Sequence, residues 1–128
     1  VYSSGSVRAQ RVFFAHTAAG DLSPLFEAHY DTAVGAKGEA ASYTHIAREL
    51  GLSADEVLFL SDVGAELDAA RAAGLATVGL RREGNTTELG EHAVAPSFDA
   101  IDLDTIPPAV RAEGTQGARL ARFVRECY

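Results

Sequence analysis

The chain has 128 residues, of which 47% are apolar, and it carries 11 basic against 18 acidic side chains, a formal net charge of −7 at pH 7. That length suits one domain with a buried core and argues against an intrinsically disordered chain. The acidic balance argues against nucleic acid or an anionic membrane surface as a partner, although an anionic small substrate could still meet a locally positive site.

The first predicted elements are two short strands on either side of a helix. Residues 1–2 are typical of the end of a strand, and the serine-rich residues 3–6 are typical of a turn. A helix is predicted over residues 7–16, with Ser6 as its N-cap. Residues 28–31 are predicted as a second short strand.

The middle of the chain has a clearer pattern. Apolar residues at helical spacing predict a helix over residues 40–50, which is ended by Gly51. The apolar run at residues 57–60 predicts a strand buried on both faces. A second helix, over residues 66–73, and a strand, over residues 75–80, follow. This alternation predicts an α/β fold, a parallel Rossmann-like sheet with flanking helices.

The end of the chain differs in character from the rest. Two prolines precede a segment rich in arginine, so we divide the chain into a core domain at residues 1–105 and an atypical tail at residues 106–128. Apolar residues on one helical face predict an amphipathic helix that docks on the core. A partner-binding helix and a segment foreign to the domain are the alternatives.

Three groups of residues could carry chemistry at the carboxyl ends of the predicted strands, where ligands bind in open parallel sheets. The first is the turn at residues 3–6, called the serine turn below. The Ser3 and Ser4 hydroxyls and the backbone N–H groups precede a helix there and suit a phosphate oxygen. Serine-rich turns are also ordinary helix caps, so the turn by itself does not separate the two roles.

The other two groups are single charged residues at the ends of elements. Asp62 follows the most apolar predicted strand, where a carboxylate is costly unless it is paired or bound to a cation such as Mg²⁺. Its alternative role is the N-cap of the next helix. Lys37 lies between glycines just before a helix, where its charge opposes the helix dipole. Its alternative role is a solvated loop lysine.

Longer segments carry more information than these single residues. In chain order they are Tyr2-Ser3-Ser4-Gly5-Ser6-Val7, His16-Thr17, Gly20-Asp21-Leu22, Tyr30-Asp31-Thr32, Gly35-Ala36-Lys37, Ser42-Tyr43, Ile46-Ala47, Leu58-Phe59-Leu60-Ser61-Asp62, Glu66-Leu67-Asp68-Ala69-Ala70 and Ala73-Gly74, with Arg82, Gly84-Asn85 and Ser97-Phe98 near the end. This set closely resembles the enolase-phosphatase (acireductone synthase) family of methionine salvage, in the haloacid dehalogenase superfamily. The resemblance covers residues 1 to about 101 and implies the carboxyl-terminal part of that fold's core domain.

The resemblance implies a role for each candidate residue. Ser3 and Ser4 would hold the phosphoryl group of a small phosphate ester, and Lys37 would be the catalytic residue that neutralises its charge. Asp62 would bind Mg²⁺, and Glu66 would orient metal-bound water or Lys37. The implied reaction is enolisation and dephosphorylation of 2,3-diketo-5-methylthiopentyl 1-phosphate. Positioning and charge neutralisation are what phosphoryl transfer mainly requires.

The superfamily's nucleophile is an aspartate at the end of a first strand, upstream of the serine turn. Only two residues precede Ser3, so we expect a fragment that lacks the nucleophile, its strand and the cap domain, and that releases no phosphate by itself. Asp102-Leu103-Asp104-Thr105 is a weak substitute because no apolar strand precedes it. The absent strand would lie beside the one ending at Asp62, so we expect poor stability unless another segment fills that position.

Two other interpretations of the sequence stay open. One is another phosphatase of the same superfamily, acting on a different small phosphate ester, and the other is a non-catalytic α/β module. The single cysteine, Cys127, cannot form an internal disulfide, which favours a reducing compartment, and we expect the cytoplasm. We expect no nucleic-acid or membrane partner, and a monomer for the full-length protein.

Overall fold

A parallel sheet with helices packed on it forms the described part of the chain, which is residues 1–104 and 122–125 of a computed structural model. The helices are α1 (Val7–Ala15), α2 (Ala40–Glu49) and α3 (Gly64–Ala72). The strands are β1 (Val57–Ser61), β2 (Ala76–Leu80), β3 (Ala93–Ala95) and β4 (Arg122–Arg125). Short 3₁₀ turns lie at Ser23–Leu25, Thr32–Val34, Ala54–Glu56 and Phe98–Ala100. The predicted fold class is confirmed.

The three helices begin and end close to the predicted residues. Ser6 is the N-cap of α1, and its hydroxyl accepts a hydrogen bond from the Ala9 N–H at 3.1 Å. Helix α2 ends just before Gly51, as the apolar spacing indicates. Helix α3 begins two residues earlier than predicted, at Gly64. Among the described residues, no helix combines the length and the apolar content that a membrane crossing requires.

All five residues of β1 are buried, because the strand has a core on each side. Successive side chains of a strand point to opposite faces. Val57 and Phe59 therefore pack in a cluster with residues of α2 and α3, and Leu58 and Leu60 pack in a second cluster with residues of β2. An uninterrupted apolar run is the sequence pattern that this two-sided burial requires.

The sheet has the order β3-β2-β1-β4, and all three pairs of neighbours are parallel. The strands predicted at residues 1–2 and 28–31 are reduced to a single parallel bridge between Tyr2 and Tyr30. Strand β3 is not among the elements that the sequence predicts. Its three residues are too few for a recognisable alternation.

Strand β4 lies beside β1, with Val57 opposite Arg122 and Leu60 opposite Arg125. The position next to β1 is where the sequence leads us to expect an unpaired edge unless another segment fills it, and four tail residues fill it. The helix prediction is wrong for Arg122–Arg125, which forms a strand. The other residues of the predicted tail helix lie outside the described residues.

The loop between β2 and β3 is fixed to the sheet at two points. Leu89 is almost fully buried and packs over Gly79 of β2, where a Cβ would come within 2.9 Å of the leucine side chain. His92 is also buried, and its ring lies 2.8 Å from the Asp68 carboxylate and 2.7 Å from the Thr77 hydroxyl. These contacts hold the loop against β2 and against α3.

Replacing Leu89 by alanine tests the first of these contacts. We expect the free energy of unfolding to fall by about 2–5 kcal/mol, because the change removes a buried side chain and leaves a cavity over Gly79. Urea denaturation followed by circular dichroism measures this loss. Leu25→Ala is the matched control, since Leu25 is 75% exposed and its truncation should change stability by less than about 0.5 kcal/mol. Equal losses in the two variants would contradict the packing.

Candidate active site

The serine turn links the Tyr2–Tyr30 bridge to the first helix. The Tyr30 N–H donates to the Val1 carbonyl at 2.7 Å, and the Ser3 N–H donates to the Tyr30 carbonyl at 3.1 Å. Ser3 is buried, and its Oγ accepts from the Gly5 N–H at 3.1 Å. Ser4 is exposed. The structure therefore gives the two predicted substrate-binding serines different positions, one inside the turn and one at its surface.

Asp31 supports the beginning of α1 from a neighbouring segment. Its carboxylate accepts hydrogen bonds from the Ala33 N–H at 2.9 Å and from the Val7 N–H at 3.0 Å. These two backbone donors, Ala33 first, hold the pKa of the Asp31 carboxyl below its usual value of 3.8. Val7 is the first residue of the helix, so Asp31 satisfies one of the N–H groups that a helix leaves without an internal partner.

Residues 35–37, called the lysine loop below, present Lys37 just before α2. Three hydroxyl groups donate to the three successive carbonyl oxygens of this loop. Tyr2 Oη donates to Gly35 at 2.8 Å, Ser42 Oγ donates to Ala36 at 2.7 Å, and Tyr43 Oη donates to Lys37 at 2.5 Å. The Ala36 carbonyl also accepts from the Glu39 N–H at 3.1 Å. The loop contains no regular element, so side chains supply the other donors to these carbonyls.

Gly35 is required by the shape of the lysine loop. Its φ is +138°, a conformation that residues with a side chain rarely adopt. A Cβ at this position would also overlap the Ser42 hydroxyl, the group that donates to the next carbonyl. The glycine before Lys37 is therefore a backbone requirement of the loop.

Lys37 and Glu66 form a buried ion pair. Lys37 Nζ lies 3.1 Å from Glu66 Oε1, and the two side chains are only 9% and 11% exposed. The second oxygen, Glu66 Oε2, accepts from Ser61 Oγ at 2.8 Å. The Lys37 ammonium also lies 5.9 Å from the centre of the Tyr2 ring, in reach of a cation–π interaction. Lys37 is thus not a solvated loop lysine, which was its alternative role.

Asp62 lies directly after β1, half-buried, in the turn that leads into α3. The N-cap of α3 is Val63, and no side chain caps the helix there. The alternative role of Asp62 as the N-cap residue is therefore wrong. The Val63 N–H instead donates to Ser61 Oγ at 3.0 Å, so Ser61 connects the turn after β1 to Glu66.

The structure brings most of the predicted site residues into one connected set. Tyr2 precedes Ser3, its ring lies by the Lys37 ammonium and its hydroxyl holds the lysine loop, while Ser61 joins Glu66 to the turn that carries Asp62. Within residues 1–104 and 122–125, no three His, Cys, Asp or Glu side chains are grouped so that they could hold a metal ion.

The hydroxyl donors of the lysine loop and Ser61 are functional residues that the sequence does not single out. These residues share one recognisable signal, a polar tip on a side chain in an apolar setting. Tyr2 and Tyr43 are fully buried, their rings pack at 5.6 Å, and burial raises the pKa of the Tyr2 phenol. A buried phenol needs a hydrogen-bond acceptor, although the sequence does not say which acceptor it finds.

Curated proteins named Enolase-phosphatase E1 are similar to this chain. The one from Thioalkalivibrio sulfidiphilus is 57% identical over 103 residues, which cover 80% of this chain and 46% of that protein. The one from Methylococcus capsulatus is 58% identical over 101 residues, which cover 79% and 44%. The chain therefore spans about half the length of the curated relatives it matches, in their carboxyl-terminal part. No family model matches it.

A solved structure is similar as well. The crystal structure of the UTR4 protein from Saccharomyces cerevisiae matches with a TM-score of 0.71 and 38% sequence identity, over 78% of this chain and 49% of that chain. These comparisons confirm the resemblance to the enolase-phosphatases that the sequence segments indicate.

Changing Glu66 to glutamine tests the buried pair. We expect a loss of about 3–5 kcal/mol in the free energy of unfolding, because the change leaves the Lys37 charge buried without its counter-ion. Urea denaturation at pH 7 measures it. The control is Glu49→Gln, since the Glu49 and His45 side chains are 50% and 46% exposed and an exposed pair contributes only about 0–1 kcal/mol. A loss no larger than that of the control would contradict a buried pair.

Acidification tests Asp31. A carboxyl whose pKa is lower in the folded chain than in the unfolded chain stabilises the fold above the unfolded value of 3.8. That contribution is lost as the pH falls through the folded pKa. We expect Asp31→Asn to be less stable than the wild type at pH 7, and the difference to shrink below pH 3.8. Denaturation midpoints measured from pH 7 to pH 3 follow this difference, and a difference that grows on acidification would refute the assignment.

Proposed function

We propose that this chain is the carboxyl-terminal part of an enolase-phosphatase E1 of the haloacid dehalogenase superfamily. In the complete enzyme it would supply the phosphoryl-binding and charge-neutralising half of the active site. The substrate would be a small phosphate ester, 2,3-diketo-5-methylthiopentyl 1-phosphate, which the enzyme would enolise and dephosphorylate in methionine salvage. The names of the relatives and the identity over four-fifths of this chain support this proposal.

The observation that carries the proposal is the fixed, buried position of the Lys37 ammonium. A surface lysine needs neither an ion pair at 3.1 Å nor three hydroxyl donors along its backbone loop. A lysine that must meet a phosphoryl group at one place benefits from both, because preorganised charge needs no rearrangement during the reaction. Lys37 would neutralise charge on the phosphoryl group, and Glu66 would hold the ammonium from the other side.

The serine turn would bind the same phosphoryl group. Its exposed Ser4 can offer a hydroxyl to a phosphoryl oxygen, and its backbone N–H groups lie at the beginning of α1, where a helix favours negative charge. Ser3, whose side chain is buried, would contribute mainly by shaping the turn through its bond to Gly5. Ser4 would thus contact the phosphoryl group through its side chain, and Ser3 would support the turn, although the resemblance assigns phosphoryl binding to both.

Asp62 would be one ligand of a magnesium ion. Mg²⁺ prefers oxygen ligands, and it often uses only one or two carboxylates together with water and substrate phosphate. A half-buried carboxylate at the end of β1 fits that description as a partial site. A bound ion would add positive charge at the phosphoryl group and polarise the diketone. The remaining acidic ligand would come from outside the matched region.

The carboxylate nucleophile would come from outside this region as well. Asp102 is an unsuitable substitute, because it is exposed and accepts the Asp104 N–H at 2.9 Å within a surface turn. We also propose a cytoplasmic monomer for the full-length protein, without a nucleic-acid or membrane partner. The net charge of −7 and the single cysteine support that part of the proposal.

A chimera tests the proposed function. The amino-terminal part of the Methylococcus capsulatus enzyme, which this chain does not match, would be joined to the full 128 residues. We expect the chimera to release phosphate from the diketone phosphate in the presence of Mg²⁺. Lys37→Met should reduce kcat/KM by at least about a hundredfold, the scale of one lost electrostatic contact in an active site.

The control for this assay is Arg48→Met, which removes a cation from the last turn of α2 and should leave turnover unchanged. Release of phosphate from other small esters but not from the diketone phosphate would favour another phosphatase of the superfamily. A folded chimera without any turnover would favour a non-catalytic module and would overturn the proposal.

A further inference from the structure

Gln10 is a buried polar side chain in contact with the serine turn. It lies on α1 and is 5% exposed. Its Nε2 donates to the Gly5 carbonyl at 2.9 Å and to the Tyr30 carbonyl at 2.7 Å. Both hydrogens of the amide nitrogen are therefore engaged, one by the serine turn and the other by the segment that pairs with Tyr2.

The Gly5 carbonyl lies just before the first carbonyl that accepts a hydrogen bond within α1, so it requires a donor from elsewhere. The carbonyl of the N-cap residue, here Ser6, is the first one that accepts a bond inside a helix. Ser6 accepts from the Gln10 N–H at 2.9 Å, whereas Gly5 lies one residue earlier, outside the helical pattern. A carbonyl withdrawn from water without a donor costs free energy. Gly5 is half-buried, and the Gln10 side chain supplies the donor to its carbonyl.

The same bond fixes the direction of an N–H group. Gly5 and Ser6 share one planar trans peptide unit, in which the C=O and N–H bonds point in opposite directions. Because Gln10 holds the Gly5 oxygen on the inner side of the turn, the Ser6 N–H points the opposite way. That orientation is the one a turn needs in order to offer N–H groups to an anion.

His29 holds the amide of Gln10 in this orientation. The amide nitrogen must face the two carbonyls because carbonyl oxygens only accept, so Gln10 Oε1 faces His29 Nδ1, 3.1 Å away. The imidazole must then donate from Nδ1. Burial, above all, lowers the pKa of His29, which favours the neutral ring at pH 7. A rotated Gln10 amide would place its nitrogen against this N–H donor.

We propose that Gln10 is a positioning residue of the phosphoryl site, which sets the direction of the Ser6 N–H by holding the Gly5 carbonyl, and that His29 fixes the Gln10 amide. This inference rests on the proposed function, since it assumes that the serine turn binds a phosphoryl group. It extends that function to two residues that would not touch the substrate.

A phosphate titration tests the inference on the full 128-residue chain. In the ¹⁵N-labelled wild type with Mg²⁺, inorganic phosphate should shift the amide signals of Ser4, Gly5 and Ser6. Gln10→Met has a similar length but no donors, and it should raise the phosphate Kd about tenfold, the effect of losing roughly 1.4 kcal/mol. Gln10→Glu keeps the size and should weaken binding at least as much. His29→Leu should have a smaller effect in the same direction.

Leu58→Ala is the control for a purely structural effect. Leu58 is fully buried in the cluster on the face of the sheet opposite Tyr2, so its truncation should lower stability and leave the phosphate Kd within about twofold. Each titration is run at a temperature well below the thermal unfolding midpoint of that variant. Only folded chains are then compared. Equal weakening in Gln10→Met and Leu58→Ala would overturn the inference.

The remaining outcomes separate this inference from the proposed function. If the wild type binds phosphate at the serine turn and Gln10→Met binds it equally well, the positioning role is wrong and the proposed function stands. If phosphate shifts none of the three amide signals in the wild type, the positioning role is overturned, and the turnover of the chimera decides the proposed function separately.

Discussion

The arrangement of the candidate site depends on one costly interaction, the burial of the Lys37 and Glu66 charges. Removing a charge from water costs several kcal/mol per ion, and close geometry alone does not compensate for it. Here the second carboxylate oxygen is bonded by Ser61, and the ammonium lies over the ring of Tyr2. Each of these contacts comes from a different element, so the pair constrains how β1, α3 and the segment before α2 can lie relative to one another.

The lysine loop illustrates how a backbone without secondary structure can still be well determined. A lysine side chain loses more rotamer freedom on burial than most others, so its backbone must be fixed for the charge to have one position. Hydroxyl groups from the bridge segment and from α2 accomplish this, each at a different carbonyl. The helix therefore does more than cover the sheet, since its first turns also hold the loop that leads into it.

The regular elements could be predicted from the sequence because each has a local cause. The apolar run of β1, the helical spacing in α2 and the Ser6 cap of α1 are all visible in short stretches of sequence. Asp62 could be predicted because a charge at the end of an apolar strand is conspicuous. Lys37 could be predicted because it lies between glycines just before a helix, where its charge opposes the helix dipole, and the role of Glu66 came from the family resemblance. The resemblance implies that Glu66 orients either metal-bound water or Lys37, and the structure shows Glu66 paired with Lys37.

What could not be predicted depends on contacts between distant residues. The tyrosine donors to the lysine loop act across 33 residues in one case and 6 in the other, and a hydroxyl does not reveal its acceptor in the sequence. The pairing of Arg122–Arg125 with β1 is another long-range choice, and its local pattern favoured a helix. The bridge at Tyr2 and Tyr30 is shorter than the predicted strands because it is bounded by the serine turn on one side and by Asp31 on the other.

The contact between residues 1–3 and 28–30 also bears on the order in which the chain folds. It closes a loop between Val1 and Ala28, which are 27 residues apart. Nine residues of that loop form α1, which Ser6 and Asp31 cap at its beginning. Loop-closure entropy grows slowly with length, so a crossover that already contains a helix is inexpensive to close. We therefore expect Ser3 and the segment that leads from Tyr30 to Lys37 to become ordered together when this loop closes. For the same reason, a local unfolding of the native chain that breaks the contact between residues 1–3 and 28–30 would release Ser3 and the segment before Lys37 together.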